Sequence, residues 1–402
     1  MPATRNRTIK SLLLLSVSLI CSGTHVATAS TPEFAQCLAD IRQAASAEGT
    51  SEQAVEATLD GVELLPRVIA SDRKQPEFSQ TFGDYYRVRV SDRRVKTGRA
   101  KRIEHLDLLR QLSAAGSVPP QYLLAFWGLE TNFGSYFGKL YIPSALATLA
   151  CDQRRAEFFR NQLLATFKIV EAGHMQPQQL IGSWAGAMGH MQFMPTTYLQ
   201  FAQDGNADGR ADLHGSITDA MYSASHYLKN IGWQPGFRWG REVLLPADFD
   251  YRNSGSDLWQ PLSTWSQLGV TDTQGQAMPS LDLSAALLIP SGQHGPAFLV
   301  YPNFKVIMKW NRSESYALTV GRLADRIAGA GRLHRPIPET KISTSDLIAL
   351  QTRLAELNYK VGKADGILGP ATRRAIQDYQ HSLGLVADGF PDDKLFKLIS
   401  QG

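Results

Sequence analysis

A carboxyl group on a predicted aromatic helix is the first candidate for chemistry. Residues 118–134 (VPPQYLLAFWGLETNFG) begin with two prolines near a predicted helix start, and Gly134 is the predicted stop. Glu130 follows Phe126 by four residues and Trp127 by three, so the three side chains share a helical face. Burial among aromatic rings disfavours the charged form and raises a carboxyl pKa, as a general acid requires near neutral pH. A Glu that caps a loop or pairs with an arginine is the alternative.

The second candidate is a run of small residues, 182–198 (GSWAGAMGHMQFMPTTY). Glycines and alanines alternate there with large apolar side chains, which permits close approach of a backbone to a helix or to a ligand. Gln192 is an amide in an apolar run and must find hydrogen-bond partners if it is buried. Two interpretations stay open: tight helix packing with the amide bonded to backbone, or a sugar subsite.

A third candidate is an acidic loop that matches the first half of an EF-hand. Its position 6 is Gly209, but position 12 is Gly215 instead of the usual Glu. We expect weak, structural calcium binding, and a metal-free Asx-rich turn is the alternative. The oxygen ligands would come from Asp204, Asn206, Asp208 and the Arg210 carbonyl.

The first 29 residues have the pattern of a secretory signal peptide. Basic residues precede the apolar run 11–20, and Ala27-Thr28-Ala29 offers a cleavage site after Ala29. The run is shorter than the roughly 20 residues that a membrane-spanning helix needs. Lipoprotein anchoring through Cys21 ranks second, because a small residue does not precede that cysteine. The sequence therefore predicts a periplasmic protein.

Composition and charge exclude several classes of protein. Hydrophobic residues make up 43% and charged residues 19%, as in globular proteins. The net charge of +4 falls to +1 without the leader, which gives no basis for nucleic-acid binding. Cys37 and Cys151 remain after cleavage. An oxidising compartment favours a disulfide between them, and two buried free thiols are the alternative.

The chain divides into two globular parts. Residues 31–331 are mainly helical by pattern, with loops after Trp233 that we expect to line a cleft. Residues 332–342 carry two prolines and mixed charges, as linkers do, and 343–402 predict a small module of about three helices. Strand-like alternation is scarce, and its short candidates are Arg87–Val90, Val243–Leu245 and Phe298–Val300.

The motifs WGLETNFG and GSWAGAMGHMQFMPTTY resemble the membrane-bound lytic transglycosylase B family of peptidoglycan-cleaving enzymes. Further segments resemble the family in its order: QPEF at 75–78, LATLACDQRRAEFF at 146–159, the acidic stretch after Gln203, GW at 232–233 and WNRSESYA at 310–317. The resemblance covers about Glu33 to Ile327. It implies a lysozyme-like helical catalytic domain with added subdomains.

The resemblance also implies a reaction. Glu130 would protonate the glycosidic oxygen between N-acetylmuramic acid (MurNAc) and N-acetylglucosamine (GlcNAc), and then accept a proton from the C6 hydroxyl. The product would be a 1,6-anhydro sugar, and no cofactor would be needed for the chemistry. Ordinary glycosidases use two carboxylates. Neither core motif contains a second acid, and Gln192 lies where one could have stood.

Other site residues follow from the same resemblance. Trp310 stands where the family leads us to expect Tyr, and His190 is interpreted as a spacer. Arg154 and Arg155 would reach peptide or lactyl carboxylates, or else form a solvated helix face. Asp219 resembles the family's displaced acidic calcium ligand. The implied sugar contacts are Ser183, Gln192, Phe193, Tyr227, Asn311 and Tyr316.

Residues 364–380 (ADGILGPATRRAIQDYQ) resemble the peptidoglycan-binding domain of cell-wall enzymes. Such a module would hold the enzyme on an insoluble substrate. The expected partner is the glycan strand of peptidoglycan, other cell-wall enzymes are candidate protein partners, and we expect a monomer. A hydrolytic muramidase and a non-catalytic wall-binding scaffold remain alternative functions.

Overall fold

The computed structural model of the chain describes residues 31–73, 80–114 and 118–401. The predicted leader and the QPEF motif at 75–78 lie outside the described residues. The N-terminal half is built from helices, as predicted. They are α1 (Pro32–Ala47), α2 (Glu52–Leu59), α3 (Pro66–Asp72), α4 (Phe82–Arg89), α5 (Asp92–Glu104), α6 (Leu106–Ala114), α7 (Pro120–Thr131), α8 (Ile142–Ala150), α9 (Ala156–Glu171), α10 (Pro195–Phe201) and α11 (Ile217–Asn230).

The later part of the chain mixes strands with helices. Two short strands, β1 (Leu140–Tyr141) and β2 (Ile181–Gly182), pair within the first half. The remaining helices are α12 (Leu262–Gln267), α13 (Pro302–Trp310), α14 (Glu314–Ala328), α15 (Thr344–Glu356), α16 (Pro370–Ser382) and α17 (Asp393–Gln401). The remaining strands are β3 (Gly240–Leu244), β4 (Gln260–Pro261), β5 (Thr271–Asp272), β6 (Ser284–Leu288) and β7 (Ala297–Val300).

The helix starts follow from local sequence. Several begin after a Ser or Thr whose hydroxyl accepts a backbone N–H of the first turn, as Ser91 does for α5 and Ser313 for α14. Others begin with proline at the first helical position, as α7 does at Pro120 and α16 at Pro370. These signals are readable without tertiary contacts, which explains why the predicted helix start near Pro120 is confirmed.

Helix α7 lies in the centre of the larger hydrophobic core. Its residues from Tyr122 to Gly128 are all buried, and it packs against α5, α6, α11 and α14. Gly98 of α5 permits close packing against α14, since a Cβ there would lie 2.6 Å from Ile327. The core holds the last turn of α7, and with it Glu130, in a fixed position.

Five antiparallel strands form a sheet in the order β4-β6-β7-β3-β5. Successive residues of β6 serve two cores: Ala286 and Leu288 face the core that contains α7, whereas Ala285 and Leu287 face a second core around Trp265. Both faces are therefore buried, and polar residues do not alternate with apolar ones. This burial explains why most of the sheet was missed in the sequence.

Two of the three predicted strands are confirmed: Val243–Leu245 overlaps β3 and Phe298–Val300 lies in β7. The third was wrong, because Arg87–Arg89 form the last turn of α4 and Val90 is its C-cap. Thr81 caps α4, and Phe82, Tyr85 and Tyr86 are buried at helical spacing. A window of four residues, 87–90, is too short to distinguish the helical period of about 3.6 residues from the strand period of about two.

The segment 343–401 has a hydrophobic core of its own, formed by α15, α16 and α17. Leu347, Leu350 and Leu354 contribute one helical face, and Ile376 and Leu395 face them. The module also contacts the sheet region. Gln377 donates to the Tyr251 carbonyl and to the Ser254 hydroxyl, each at 3.1 Å. Three helices match the prediction for this part of the chain.

Cys37 of α1 and Cys151, the C-cap of α8, form a disulfide across 114 residues of sequence, which confirms the favoured pairing. The bond joins α1 to the end of α8, the helix that packs against the small-residue motif at Gly186. Within the ranges that the structure describes, no helix combines the length and apolar character required to cross a bilayer.

Candidate active site

Glu130 lies in the last turn of α7, where the backbone turns sharply. The helix ends at Thr131, so the predicted stop at Gly134 was too late. Asn132, Phe133 and Gly134 all have positive φ angles, of 50°, 60° and 77°. The left-handed run reverses the chain directly after the acid. The Glu130 side chain is therefore half-buried at a helix end instead of being enclosed within the core.

Two neutral donors hold one oxygen of the Glu130 carboxyl group. The indole Nε1 of Trp310 donates to Oε1 at 3.0 Å, and the Tyr316 hydroxyl donates to the same atom. Trp310 ends α13, and Tyr316 lies in the first turn of α14, which Ser313 caps. The indole thus supplies a hydrogen bond at the position where the family leads us to expect tyrosine. Both bonds fix the plane of the carboxyl group.

Aromatic rings surround this hydrogen-bonded group. Trp310 packs on Phe126 with ring centroids 4.3 Å apart, and it meets Phe193 at 5.6 Å and Tyr227 at 5.3 Å. Phe193 and Tyr227 are also in contact, at 5.6 Å. Burial raises the pKa of the Tyr227 hydroxyl above its ordinary value. The structure therefore brings four predicted site residues, Glu130, Phe193, Tyr227 and Tyr316, to one cluster.

The small-residue motif is a series of turns and does not form the helix packing that was one of its two interpretations. The Ser183 hydroxyl accepts the N–H groups of Ala185 at 3.3 Å and of Ala187 at 3.0 Å. Gly186 has a φ of 85°, and a Cβ there would lie 2.4 Å from Leu146. The small residues therefore permit a tight loop against α8. Ser183 shapes that loop from within.

Gln192 has a left-handed backbone, with a φ of 49°. Its amide nitrogen donates to the Gly189 carbonyl at 3.0 Å and to the Phe137 carbonyl at 3.4 Å. These two bonds satisfy both amide hydrogens with backbone, as one interpretation expected. Within the described parts of the chain the amide oxygen has no hydrogen bond to protein, so it is the atom that remains for a ligand. The two interpretations of this residue are therefore compatible.

Asn311 directly follows Trp310 and is the C-cap of α13. Its Oδ1 accepts the Ser313 N–H at 3.2 Å, which shapes the link between α13 and α14. Asn311 therefore lies on the segment that carries both donors to Glu130.

Arg154 and Arg155 have a different environment from the rest of the predicted site. Both form ion pairs with Asp72 at the end of α3, whose side chain is only 1% exposed. Arg154 also donates to the Asp72 carbonyl, and Arg155 lies over the Phe159 ring at 4.8 Å. The pair is neither a free carboxylate receptor nor a purely solvated helix face. It joins α3 to the start of α9.

His190, which was predicted to be a spacer, holds the helix that carries Glu130 in place. Its Nδ1 accepts the Trp127 indole N–H at 3.0 Å, and its carbonyl accepts the Thr131 hydroxyl at 2.9 Å. Burial is the main cause that lowers the pKa of His190 to about 4, and the nearby His214 is the second cause. A neutral imidazole thus holds the last turn of α7 on the small-residue loop. Its position between Gly189 and Met191 carries no readable signal of that role.

The acidic loop is closed by hydrogen bonds from its own backbone to its carboxylates. Asp204 accepts the N–H groups of Asp208 at 3.1 Å and Gly209 at 2.7 Å, and Asp208 accepts that of Arg210 at 3.0 Å. Asp219 is fully buried and accepts the Gly205 and Asn206 N–H groups, at 3.0 and 3.2 Å, and the Asp212 N–H, at 3.0 Å.

The donor set suits calcium in composition, since it is made of hard oxygen ligands. It does not suit calcium in placement. Among the described residues, no three His, Cys, Asp or Glu side chains converge on a point where a metal could bind. The carboxylates face the backbone of their own loop. The loop therefore fits the ion only in part.

Residues 33–325 match the family model described as transglycosylase SLT domain, and residues 343–399 match that of a peptidoglycan binding domain. The chain is 32% identical over 231 residues to membrane-bound lytic murein transglycosylase B of Escherichia coli. That stretch covers 56% of this chain and 61% of the relative, which is less than two thirds of its length.

Solved structures extend the similarity. SltB3 from Pseudomonas aeruginosa, in complex with NAG-NAM-pentapeptide, is 41% identical with a TM-score of 0.87, covering 91% of this chain and 99% of that one. The Escherichia coli lytic transglycosylase Slt35, in complex with calcium, is 28% identical with a TM-score of 0.63, covering 74% and 93%. The predicted fold class is confirmed: a mainly helical, lysozyme-like catalytic domain with added subdomains and a small helical module.

The neutral state of His190 predicts a dependence of stability on pH. Because its folded pKa of about 4 lies below its ordinary value near 6.5, the unfolded chain takes up the proton first on acidification. The stabilisation is complete above about pH 6.5 and is lost as the pH falls towards 4. We expect His190→Gln to show a smaller drop in Tm between pH 7 and pH 4.5 than wild type, by differential scanning fluorimetry. His294→Gln changes an exposed histidine and is the control, so it should show the same drop in Tm as wild type. If His190→Gln also shows the drop of wild type, the assignment is wrong.

Proposed function

The chain belongs to the transglycosylase SLT domain family, and on that premise we propose that it is a lytic transglycosylase of peptidoglycan with Glu130 as its single acid and base. The observation that carries the proposal is the carboxyl group of Glu130, held at one oxygen by Trp310 and Tyr316 within an aromatic cleft. An oriented, half-buried carboxyl group flanked by rings is suited to proton transfer on a sugar.

In the proposed reaction, protonated Glu130 donates its proton to the glycosidic oxygen as the bond from C1 of MurNAc to that oxygen breaks. The GlcNAc 4-hydroxyl leaves, and the substrate's own N-acetyl group stabilises the cationic C1. The Glu130 carboxylate then accepts the proton of the C6 hydroxyl, and O6 bonds to C1. One carboxyl group is sufficient because the nucleophile and the stabilising group both belong to the substrate.

The surrounding side chains have supporting roles in this proposal. The hydrogen bonds from Trp310 and Tyr316 stabilise the carboxylate that forms after proton donation. Phe193 and Tyr227 offer ring faces for sugars, and the amide oxygen of Gln192 offers an acceptor for a hydroxyl or N-acetyl N–H. Ser183 and Asn311 shape the loops that carry these groups.

We also propose that residues 31–331 form the catalytic part, 332–342 a linker and 343–402 a wall-binding module. The match of 343–399 to the peptidoglycan binding domain supports the last assignment. Export by the predicted signal peptide at 1–29 and action in the periplasm complete the proposal. The substrate would be the glycan strand of peptidoglycan, which is insoluble, and a tethering module raises the local concentration of enzyme on it.

The first test analyses the products released from purified peptidoglycan by mass spectrometry. We expect 1,6-anhydro-muropeptides from wild type and a loss of at least about a hundredfold in their rate of release with Glu130→Gln, which cannot donate the proton. Glu157→Gln, at an exposed acid on α9, is the matched control and should retain activity. Reducing-end products would identify a hydrolytic muramidase instead. Binding to sacculi without any product would favour a scaffold.

The second test removes a donor to the acid. Tyr316→Phe deletes one hydrogen bond to a group that becomes charged during the reaction, a bond of about 1.5–3 kcal/mol. We therefore expect kcat to fall by about 10- to 100-fold, with little change in KM, because the bond joins two groups of the enzyme. Tyr359→Phe, which loses a surface hydrogen bond to Ser382, is the control. A wild-type kcat for Tyr316→Phe would show that this donor does not matter.

The third test concerns calcium. We propose that the loop 204–210, with Asp219, binds the ion weakly and that the ion has no part in the chemistry; the calcium complex of Slt35 supports this proposal. Millimolar Ca²⁺ should then raise Tm in wild type by mass action, and Asp204→Asn should reduce the increase. Mg²⁺ is the control ion, since it prefers a stricter octahedral site. An unchanged Tm in wild type would count against calcium binding.

A further inference from the structure

The segment that contains α4, α5 and α6 carries an excess of basic side chains. Residues 80–114 include nine arginines and lysines but only four acids, a net charge of +5. The chain without its predicted leader has a net charge of only +1, so the rest of it is negative overall. Positive charge is therefore concentrated on one part of the folded chain.

Helix α5 directs its cations away from the core. Its buried residues, Val95 and Gly98, lie on the side that packs against α7 and α14. Exposed residues recur at helical spacing on the opposite side. We call this side the basic face, and it consists of Arg93, Lys96, Arg99 and Ile103.

The acids of α5 do not neutralise the basic face, because other cations engage them. Asp92 accepts from Arg326 at 2.9 Å and also from Arg332, so two cations share one carboxylate. Glu104 forms an ion pair with Lys101 at 2.7 Å. The two acidic side chains of this helix are therefore already paired.

The cations of the basic face keep their charge without a partner acid. Among the described residues, the side chains of Arg93 and Lys96 have no hydrogen bond or ion pair. The Arg99 guanidinium donates to the Arg326 carbonyl at 2.7 and 3.1 Å, which are bonds to a neutral group. Three positive charges along one side of a helix thus remain available to an anionic surface.

Two apolar side chains protrude among these cations. Ile103 is 76% exposed and Val88 is 67% exposed, the two highest values for a large apolar side chain in the described parts of the chain. The Arg94 guanidinium donates to the Val88 carbonyl at 3.4 Å and to the Arg89 carbonyl at 2.8 Å. The end of α4, which carries Val88, therefore lies beside the first turn of α5.

We propose that the basic face and Val88 form a docking surface for a lipid bilayer that contains anionic phospholipids. The cations pair with lipid phosphates, and the apolar side chains of Ile103 and Val88 enter the region between the headgroups. An anionic polysaccharide could pair with the cations, but it offers no apolar region for these two side chains. The combination of free cations and protruding apolar groups therefore favours a bilayer.

The docking surface is separate from the proposed active site. Helix α5 meets the region of Glu130 through its buried side, where a Cβ on Gly98 would lie 3.1 Å from Phe133. The basic face is on the other side of the helix, so docking does not involve α7. The inference goes beyond the proposed function and does not rest on the identity of the acid.

The experiment measures flotation of the purified protein with lipid vesicles, so it is independent of turnover. Vesicles of equal parts phosphatidylglycerol and phosphatidylcholine are compared with vesicles of phosphatidylcholine alone. We expect wild type to float with the anionic vesicles only, and to dissociate at about 1 M salt, where the Debye length is about 3 Å. Arg93→Gln/Lys96→Gln should bind the anionic vesicles about 25-fold more weakly, at about fivefold for each cation removed.

Two further variants separate the position of the charge from its amount, and charge from apolar contact. Lys360→Gln/Lys363→Gln removes two exposed lysines from the C-terminal module and should float as wild type does. Ile103→Gln retains every charge and should weaken binding by about threefold or more, because its side chain no longer favours the bilayer interface. All variants change exposed residues and should keep the Tm of wild type.

The inference is overturned if wild type does not float with anionic vesicles, or if it floats equally with neutral ones. Wild-type flotation of Arg93→Gln/Lys96→Gln also overturns it, and so does a loss by that variant of binding to purified sacculi instead of to vesicles. An unchanged value for Ile103→Gln would show that the surface is not suited to a bilayer. Release of anhydro products by Arg93→Gln/Lys96→Gln should equal that of wild type, so the proposed function fails or stands separately.

Discussion

The hydrogen bonds from Trp310 and Tyr316 to one oxygen of Glu130 are the interaction on which the site depends. They join the end of α7 to the junction of α13 and α14, whose donors lie 180 and 186 residues after Glu130 in the sequence. Each bond acquires its full strength only when the carboxyl group is charged, because hydrogen bonds to ions are about twice as strong as neutral ones. In the proposed reaction, these bonds stabilise the carboxylate that follows proton donation.

The rest of the catalytic part serves to hold that junction. Helix α7 is buried along almost its whole length, so its final turn cannot shift without disturbing the core. The neutral His190 attaches the same turn to the small-residue loop through Trp127 and Thr131. The disulfide between Cys37 and Cys151 and the ion pairs of Asp72 with Arg154 and Arg155 brace α1, α3, α8 and α9. The acid thus has a rigid frame and an open face.

The C-terminal module packs against the sheet region. Its contacts with the sheet region place the start of α16 against the first turn of α14. The turn that supplies Tyr316 to Glu130 therefore also lines a cavity between the two parts.

Local signals in the sequence determined the helices, their caps and the candidate acid. Prolines mark the starts of α7 and α16, and ordered motifs surround Glu130 and Gln192. Both signals lie within short stretches of sequence, so they could be read without coordinates. The disulfide between the two cysteines could be expected from the oxidising compartment to which the leader points. Tertiary structure alone decided the rest. Most of the sheet escaped detection because both its faces are buried. Arg87–Arg89 turned out to be helical, and Arg154 and Arg155 paired with a distant Asp72. Which donors reach Glu130 depends on contacts between residues more than a hundred positions apart, and a linear sequence does not contain that information.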